Sequence, residues 1–279
     1  RQLHAGDKSQ PIHEIVRKAE LQMLEKSDLV LYCSQDDLTA FRQMAPKAKF
    51  DAVYMPNGMT PIGVQAHTEK SKNSTFSTVF MGSGHPPNAR AAEFIVHTLA
   101  PILPEITFDI IGSCLQEGRY PPNVRRYGVI SDELKSKLLS RADLALNPME
   151  VGSGSNVKVL DYYSYGLPVI STSFGMRGIQ AEGGKEYLEA SLDRFAELIQ
   201  SAAREPDSLA CVAAAGKTLA LDRYTWVAIA QSVAKSLEKL AEMKLATPSK
   251  RFVLALNDYD SFAGVGGGAT RTRGLYAAV

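Results

Sequence analysis

Short apolar segments alternate regularly with longer segments of helical spacing from Phe76 to about residue 244. The short segments have the length and composition of buried strands, and several of them end at a glycine. Parallel strands need crossover connections, which helices usually provide. The alternation therefore predicts an α/β fold, a parallel sheet with helices on both faces. The predicted strands are Ser77–Met81, Ile106–Ile111, Val124–Tyr127, Asp143–Asn147 and Val169–Ser171.

Helical periodicity fills the intervals between these strands. Asn88 precedes one such apolar pattern, so we predict that its side chain caps the helix that follows. In a sheet of this kind, ligands bind at the carboxyl ends of the strands, so the turns after Met81, Ile111, Tyr127 and Asn147 are candidate sites. The predicted helices are Asn88–Leu99, Asp132–Arg141, Val157–Tyr165, Leu192–Arg204, Asp207–Ala220 and Thr225–Lys244.

Further strand and helix patterns precede this region. Two acidic residues, Asp36 and Asp37, suit the first turn of a helix that continues to Met44. The predicted elements are helices over about residues 11–25 and 36–44, strands Asp28–Ser34 and Ala52–Met55, and a polar linker from His67 to Thr75. On the carboxyl side, a predicted strand, Arg251–Leu256, leads into a glycine loop, Gly264–Gly268.

These patterns predict three parts of the chain. Residues 1–60 form the tail of an amino-terminal domain and a linker, residues 61–245 form a ligand-binding domain, and residues 250–279 begin a further, truncated Rossmann-type domain. The chain starts without Met and stops inside a helical pattern. We therefore expect it to be cut from a longer polypeptide.

Charge and cysteine content argue against several kinds of partner. Because 31 Lys and Arg oppose 30 Asp and Glu, the net charge of +1 gives no reason to expect nucleic acid. The three cysteines are widely separated, so we expect neither a disulfide framework nor a zinc site. No apolar run approaches the roughly 20 residues of a membrane-spanning helix, and no signal peptide is recognisable. We expect a cytoplasmic protein without a transmembrane segment.

The segment after Asn147 is rich in glycine and serine and leads directly into a predicted helix. Backbone N–H groups at the start of a helix bind anions such as a diphosphate. Lys158 in the first turn adds positive charge, and Asp161 on the same helix face can accept hydrogen bonds from ribose hydroxyls. A structural turn with a solvated lysine is an equal alternative from spacing alone. The candidate residues are Gly152, Ser153, Gly154, Ser155, Asn156, Val157, Lys158 and Asp161.

This segment resembles the donor-site pattern of retaining glycosyltransferases of family 4, the group 1 transferases. The shared pattern is Gly-Ser-Gly at residues 152–154, then Lys158, Asp161 and the run Gly166–Thr172. The resemblance covers about residues 10–244 and implies that residues 61–245 are the Rossmann-like, nucleotide-sugar-binding, carboxyl-terminal domain of a GT-B enzyme. Other segments similar to the family are Tyr54–Gly58, Val79–Ser83, Pro87 with Asn88, Pro101, Tyr127–Ile130, Gly175–Gly178 and Tyr224–Trp226.

The resemblance implies a donor site and leaves the catalytic residues unknown. Lys158 and the loop 153–156 would hold the diphosphate, and Asp161 would contact the ribose. The acceptor would be a sugar or a glycolipid, and neither a metal nor a cofactor is expected. Groups facing the acceptor would lie in missing domains of the same polypeptide, so we expect the isolated chain to be inactive. The turn after the first strand and the loop flanking the base complete the donor site, with Gly82 and Gly84, and Val129 and Ile130, respectively.

Several departures from the family pattern leave other functions open. Ser153 stands where many members have a glutamate that contacts the donor sugar, and Glu150 lies three residues early. His85 and Arg90 stand where members often have arginine and lysine. A non-catalytic GT-B scaffold and an isomerase similar to UDP-GlcNAc 2-epimerases are the alternatives. Analogy with the family adds polysaccharide biosynthesis at the inner membrane face as the expected context.

Overall fold

The structure, a computed structural model, describes residues 10–62, 75–152, 154–244 and 253–255. Chain contacts divide the described residues into two compact units. Of the described residues, the first unit comprises 10–58, 154–155, 224–244 and 253–255, and the second comprises 59–62, 75–152 and 156–223. The predicted three-part division remains a prediction. Most of the predicted linker and the predicted loop Gly264–Gly268 lie outside the described residues.

The first unit begins with alternating helices and strands. These are α1 (Gln10–Lys26), β1 (Leu29–Tyr32), α2 (Gln35–Met44) and β2 (Asp51–Tyr54). The hydroxyl oxygen of Ser34 caps α2 by accepting a hydrogen bond from the Asp37 amide at 3.2 Å. Asp36 and Asp37 lie in the first turn, so the predicted helix start is confirmed.

The second unit is built on a six-stranded parallel sheet in the order β5-β4-β3-β6-β7-β8. Every residue of β4 and β6 is buried, because helices cover both faces of the sheet. The predicted Rossmann-like α/β class is therefore confirmed. The strands are β3 (Ser77–Met81), β4 (Thr107–Ile111), β5 (Val124–Gly128), β6 (Leu144–Asn147), β7 (Val169–Ser171) and β8 (Leu188–Glu189).

Helices and short helical turns connect these strands. The α-helices are α3 (Pro86–Phe94), α4 (Ala100–Ile102), α5 (Asp132–Arg141), α6 (Lys158–Ser164), α7 (Phe195–Arg204) and α8 (Ala210–Arg223). A π-helical turn, Ile95–Leu99, joins α3 to α4, and Pro101 follows it. Proline has no N–H to donate to the carbonyl four residues earlier, so regular α-helix cannot continue through it. The 3₁₀ turns are Phe174–Met176, Leu192–Arg194 and Pro206–Leu209.

The start of α3 differs from the prediction. The helix begins at Pro86, and His85 occupies the N-cap position without a capping side-chain hydrogen bond. Pro86 and Pro87 fit a first turn well, because the N–H groups that they lack would have no partner within the helix there. The predicted capping role of Asn88 is therefore wrong, and its side-chain amide makes other contacts.

One hydrophobic cluster fills the interior of the second unit. It joins side chains of the sheet to those of the helical segment 86–102 and of α7. Burial of each large side chain stabilises the fold by about 1.5–3 kcal/mol relative to exposure. Fully buried members of the cluster include Phe80, Ile95, Leu99, Phe108, Leu146, Phe195 and Ile199.

The first unit resumes with α9 (Trp226–Lys244) and β9 (Val253–Ala255). β9 lies within the predicted strand Arg251–Leu256 and pairs in parallel with β1, which gives the sheet order β2-β1-β9. Trp226 packs in a cluster with Leu31 and Val53, so the predicted core role of this tryptophan is confirmed. In the described part of the chain, no helix is both long and apolar enough to cross a bilayer.

Candidate functional site

Three loops at the carboxyl edge of the sheet in the second unit are hydrogen-bonded to one another. The Gly82 amide, after β3, donates to the Ile111 carbonyl at 3.0 Å, and the Cys114 amide donates to the Gly82 carbonyl at 3.2 Å. The Gly112 amide, after β4, donates to the Gly128 carbonyl at 2.7 Å. The turns that the sequence marked with glycines are thus held side by side.

This close approach requires glycine at position 112. Gly112 has a φ of +96°, and a Cβ built on it would overlap the carbonyl oxygen of Gly82. The turn after β3 is fixed further by Ser113, whose hydroxyl oxygen accepts a hydrogen bond from the Gly84 amide at 2.7 Å. Gly82 is half-buried and Gly84 is exposed, so the turn presents backbone to the surroundings.

The start of α6 offers fewer unpaired amides than the sequence led us to expect. The amides of Val159 and Leu160 donate to the carbonyls of Asn156 and Val157, both at 3.0 Å, and close tight turns. The Asn156 amide donates to a carbonyl in the turn after β7. Within the described ranges, the amides of Val157 and Lys158 have no hydrogen-bond acceptor. These two N–H groups are the ones available to an anion.

The ammonium group of Lys158 lies between α6 and the end of β3. Its Nζ atom donates to Oδ1 of Asn88 at 2.7 Å and lies 3.8 Å from the sulfur of Met149. It also stands 4.4 Å from the centroid of the Phe80 ring, in the geometry of a cation–π contact. Lys158 is thus not the solvated lysine of the alternative interpretation.

Burial lowers the pKa of Lys158 to about 7, because the charged form has lost much of its hydration. The Cys114 thiol acts weakly in the opposite direction. The same burial raises the pKa of Cys114, and Lys158 partly offsets that rise. A lysine with this pKa changes charge near neutral pH, whereas an exposed lysine stays charged.

Asp161 has a different set of neighbours. It is half-buried, and burial raises the pKa of its carboxyl group. Lys135 of α5 partly offsets the rise, and Asp132, also in α5, adds to it. Asp161 thus interacts with the start of α5, which begins two residues after Ile130 in the loop predicted to flank a base. Lys158 lies instead beside the turn after β3.

Both ends of the segment that joins β6 to α6 are tied to one carbonyl group. The side-chain amides of Asn147 and Asn156 each donate to the Gly175 carbonyl at 2.7 Å. The Gly175 amide donates to the Thr172 hydroxyl at 2.8 Å, and that hydroxyl donates to the Met149 carbonyl. Asparagine, threonine and glycine at the ends of β6 and β7 therefore set the shape of this segment.

Among these supporting residues, Asn156 was predicted as a site residue, whereas Asn147, Thr172 and Gly175 were missed by sequence reasoning. The family resemblance included Thr172 and Gly175, but gave neither a role. Their position in the sequence could have identified them, because a polar residue directly after a buried parallel strand lies at the same edge of the sheet as the ligand-binding loops. Asn88 belonged to the family resemblance and was predicted as a helix cap, but it was given no role in the site.

The predicted site residues differ in exposure. Val129 is 83% exposed and Ile130 is half-buried. Gly152 and Gly154 are exposed, Ser155 and Val157 are half-buried, Asn156 is buried, and Ser153 lies outside the described residues. Gly154 and Ser155 group with the first unit, where the Ser155 hydroxyl accepts a hydrogen bond from the side-chain amide of Asn57. Which of these residues contact a ligand stays a prediction.

Other candidate charges lie outside this arrangement. His85 and Arg90 are both exposed, at the start of α3 and within it. Among the residues that the structure describes, no three His, Cys, Asp or Glu side chains gather in a way that could hold a metal ion. Lys158 is therefore one cation that the described geometry brings to the carboxyl edge beside α6, and Arg177, in the turn after β7, is another.

The fold defines the class of protein. The six-stranded parallel sheet with helices on both faces has the Rossmann-like fold found in GT-B proteins. Residues 75–205 match the family model described as glycosyl transferases group 1. This part of the chain is thus similar to group 1 glycosyltransferases, and the assignment of the chain to family 4 stays a prediction.

Solved glycosyltransferase structures share this fold. HepE of Anabaena, in complex with UDP-glucose, is 18% identical with a TM-score of 0.62, over 84% of this chain and 70% of HepE. Sucrose-phosphate synthase of Thermosynechococcus elongatus is 17% identical with a TM-score of 0.63, over 86% of this chain and 65% of the synthase. The pneumococcal O-GlcNAc transferase GtfA, in complex with UDP and GlcNAc, is 16% identical with a TM-score of 0.51, over 81% of this chain and 47% of GtfA. No curated protein sequence is significantly similar to the chain.

Proposed function

We propose that this domain binds a nucleotide-sugar and that the enzyme to which it belongs transfers the sugar to an acceptor hydroxyl. The observation that carries the proposal is the position of Lys158. Its ammonium group and the unpaired amides of Val157 and Lys158 lie at the carboxyl edge of the sheet. The complexes of HepE with UDP-glucose and of GtfA with UDP and GlcNAc support this choice of ligand.

The proposed site acts chiefly by stabilising a leaving group. When the bond between the anomeric carbon and the diphosphate oxygen breaks, negative charge grows on the nucleoside diphosphate. Preorganised N–H groups and a cation in a partly desolvated place stabilise such charge more strongly than water does. The acceptor hydroxyl oxygen forms the new bond to the anomeric carbon, and its proton passes to the released diphosphate or to water. Retention of configuration and a sugar or glycolipid acceptor belong to the proposal and follow from the family that the sequence resembles.

The nucleoside part of the donor would lie toward α5. We propose that the Asp161 carboxylate accepts hydrogen bonds from the ribose hydroxyls and that Val129 covers one face of the base. The high exposure of Val129 supports this role, because a ligand ring would remove its apolar surface from water. Burial raises the pKa of Asp161 and so disfavours its charged form. Hydrogen bonds donated by the ribose hydroxyls would favour the charged form and offset this effect.

We propose that Lys158 provides the positive charge that a metal ion would otherwise bring to the diphosphate. The test is a binding measurement with and without a chelator such as EDTA. Unchanged affinity for the nucleotide-sugar is expected. Loss of binding on chelation, restored by a divalent cation, would contradict this part of the proposal.

Calorimetric titration tests the donor site directly. We would titrate UDP-glucose, GDP-mannose and ADP-glucose into the wild-type chain and into Lys158→Met. Binding of at least one of them is expected, and Lys158→Met should weaken it about tenfold or more. Lys137→Met removes an exposed lysine of α5 and is the matched control. A wild-type chain that binds none of these ligands would favour the non-catalytic scaffold.

A further inference from the structure

Asn88 holds the lysine of the proposed donor site through a fixed orientation of its side-chain amide. Its Nδ2 atom donates to the Ser83 hydroxyl at 3.2 Å, and its Oδ1 atom accepts from Lys158 Nζ at 2.7 Å. Only the oxygen end of the amide can accept from the ammonium, so the contact with Lys158 fixes the orientation of the amide, and its nitrogen end faces the Ser83 hydroxyl.

The position of Asn88 depends on the turn after β3. A Cβ built on Gly82 would lie 2.8 Å from the Cβ of Asn88, which is closer than two carbon atoms can pack. Gly82 therefore allows the side chain of Asn88 to lie against the turn that Ser83 continues. The side chain of Asn88 in α3 therefore lies in space between Gly82, after β3, and Lys158 in α6.

The groups around the ammonium are neutral. Besides Asn88, they are the ring of Phe80, the thioether of Met149 and the thiol of Cys114, which is the titratable group that acts on the lysine. Within the described residues, no carboxylate lies within ion-pair distance of Lys158. The positive charge of the lysine is thus held in place without being cancelled.

We propose that Asn88 is a positioning residue of the donor site, which fixes the ammonium of Lys158 toward the diphosphate with a neutral acceptor. The inference rests on the proposed donor function and deepens it. A carboxylate at position 88 would hold the lysine equally well, but it would pair with the charge that the diphosphate needs. An alanine would leave the buried ammonium without its acceptor.

The two substitutions are expected to act in opposite directions on the lysine. In Asn88→Asp, the new carboxylate raises the pKa of Lys158, and in Asn88→Ala the loss of the acceptor lowers it further. NMR titration of lysine side chains labelled with carbon-13 measures this pKa without any ligand, and Lys158→Arg identifies the signal. An unchanged pKa of Lys158 in Asn88→Asp would overturn the inference.

Donor binding gives the second readout. Calorimetry uses whichever of UDP-glucose, GDP-mannose and ADP-glucose the wild-type chain binds best, at pH 6 and at pH 8. These ligands keep a constant charge over this range, so a change of affinity reports on the protein. The wild-type affinity should fall as the pH rises through the pKa of Lys158, which lies near 7.

The variants should depart from that behaviour in distinct ways. Asn88→Asp should bind the donor about tenfold more weakly at pH 6, because the new carboxylate neutralises the charge of Lys158. Its binding should lose most of the pH dependence, because the ion pair keeps Lys158 protonated at both pH values. Asn88→Ala should bind weakly at pH 8 and recover partly at pH 6. Thr98→Asp, on the exposed side of the same helical segment, adds the same charge about 15 Å along it and should behave as wild type.

The outcomes separate the two proposals. A wild-type chain that binds none of the nucleotide-sugars overturns the donor site, and the inference about Asn88 falls with it. Wild-type binding that Asn88→Asp leaves unchanged in strength and pH dependence overturns the inference alone. Circular dichroism and a thermal midpoint for each variant establish that it is folded before binding is compared.

Discussion

The phenolic oxygen of Tyr162 in α6 accepts a hydrogen bond from the amide of Met81, the last residue of β3, with an N–O distance of 2.8 Å. Tyr162 is fully buried, and Met81 immediately precedes Gly82. The helix that begins with Lys158 is thus hydrogen-bonded to β3. The turn after β3 carries Ser83, which is a hydrogen-bond partner of Asn88. This bond sets the spacing of the two halves of the proposed donor site.

The first prediction follows from that bond. Tyr162→Phe removes the acceptor and leaves the buried Met81 amide unpaired, which should lower the free energy of unfolding by about 1–3 kcal/mol. Urea denaturation measures the change. Tyr165→Phe, in the half-buried residue that ends the same helix, should lower it by much less. Equal effects of the two substitutions would show that the Tyr162 bond contributes little.

The second prediction concerns the pH dependence of stability. The pKa of Lys158 is about 7 in the folded chain, against about 10.4 in an unfolded chain. Between these values the unfolded state binds the extra proton, so stability should rise with pH from about 7 to about 10 through this group. The measurement is the difference in free energy of unfolding between wild type and Lys158→Met across that range. The penalty for charging the buried lysine is fully present below pH 7 and is absent from Lys158→Met. A difference independent of pH would contradict the lowered pKa.

The third prediction separates crowding from backbone strain at two glycines. Gly112 and Gly128 both have positive φ, but a Cβ on Gly112 would overlap a carbonyl oxygen, whereas one on Gly128 would meet nothing within 4 Å. Gly128→Ala should therefore cost about 1–2 kcal/mol of stability, the usual cost of a left-handed alanine. Gly112→Ala should cost clearly more, or prevent folding. Thermal and urea unfolding compare the two, and a smaller loss for Gly112→Ala would refute the close approach of the turns.

The fourth prediction tests the place of the base. Val129→Ala should weaken binding of UDP or GDP several-fold, because less apolar surface is covered by the base, at about 25 cal/mol per Å². It should leave the binding of inorganic pyrophosphate unchanged. Val227→Ala, at another exposed valine, is the control and should alter neither. Equal weakening for nucleotide and pyrophosphate would show that Val129 does not face the base.

Local chain chemistry was enough to predict the sheet and most of its helices. The period of two or of 3.6 residues and the glycines at strand ends depend only on neighbouring residues. The same reasoning failed at Asn88, because a local rule for caps ignored the two prolines that could begin the helix earlier.

The sequence by itself determined the alternation of strands and helices, and with it the edge at which ligands bind. Tertiary structure decided the state of Lys158. Its neighbours Phe80, Asn88 and Cys114 lie more than forty residues away in sequence, and only folding brings them to the ammonium. Tertiary structure likewise paired β9 with β1, from opposite ends of the chain. The pKa of a charged group depends on all the groups within a few ångströms of it, whereas a sequence pattern contains only the neighbours along the chain.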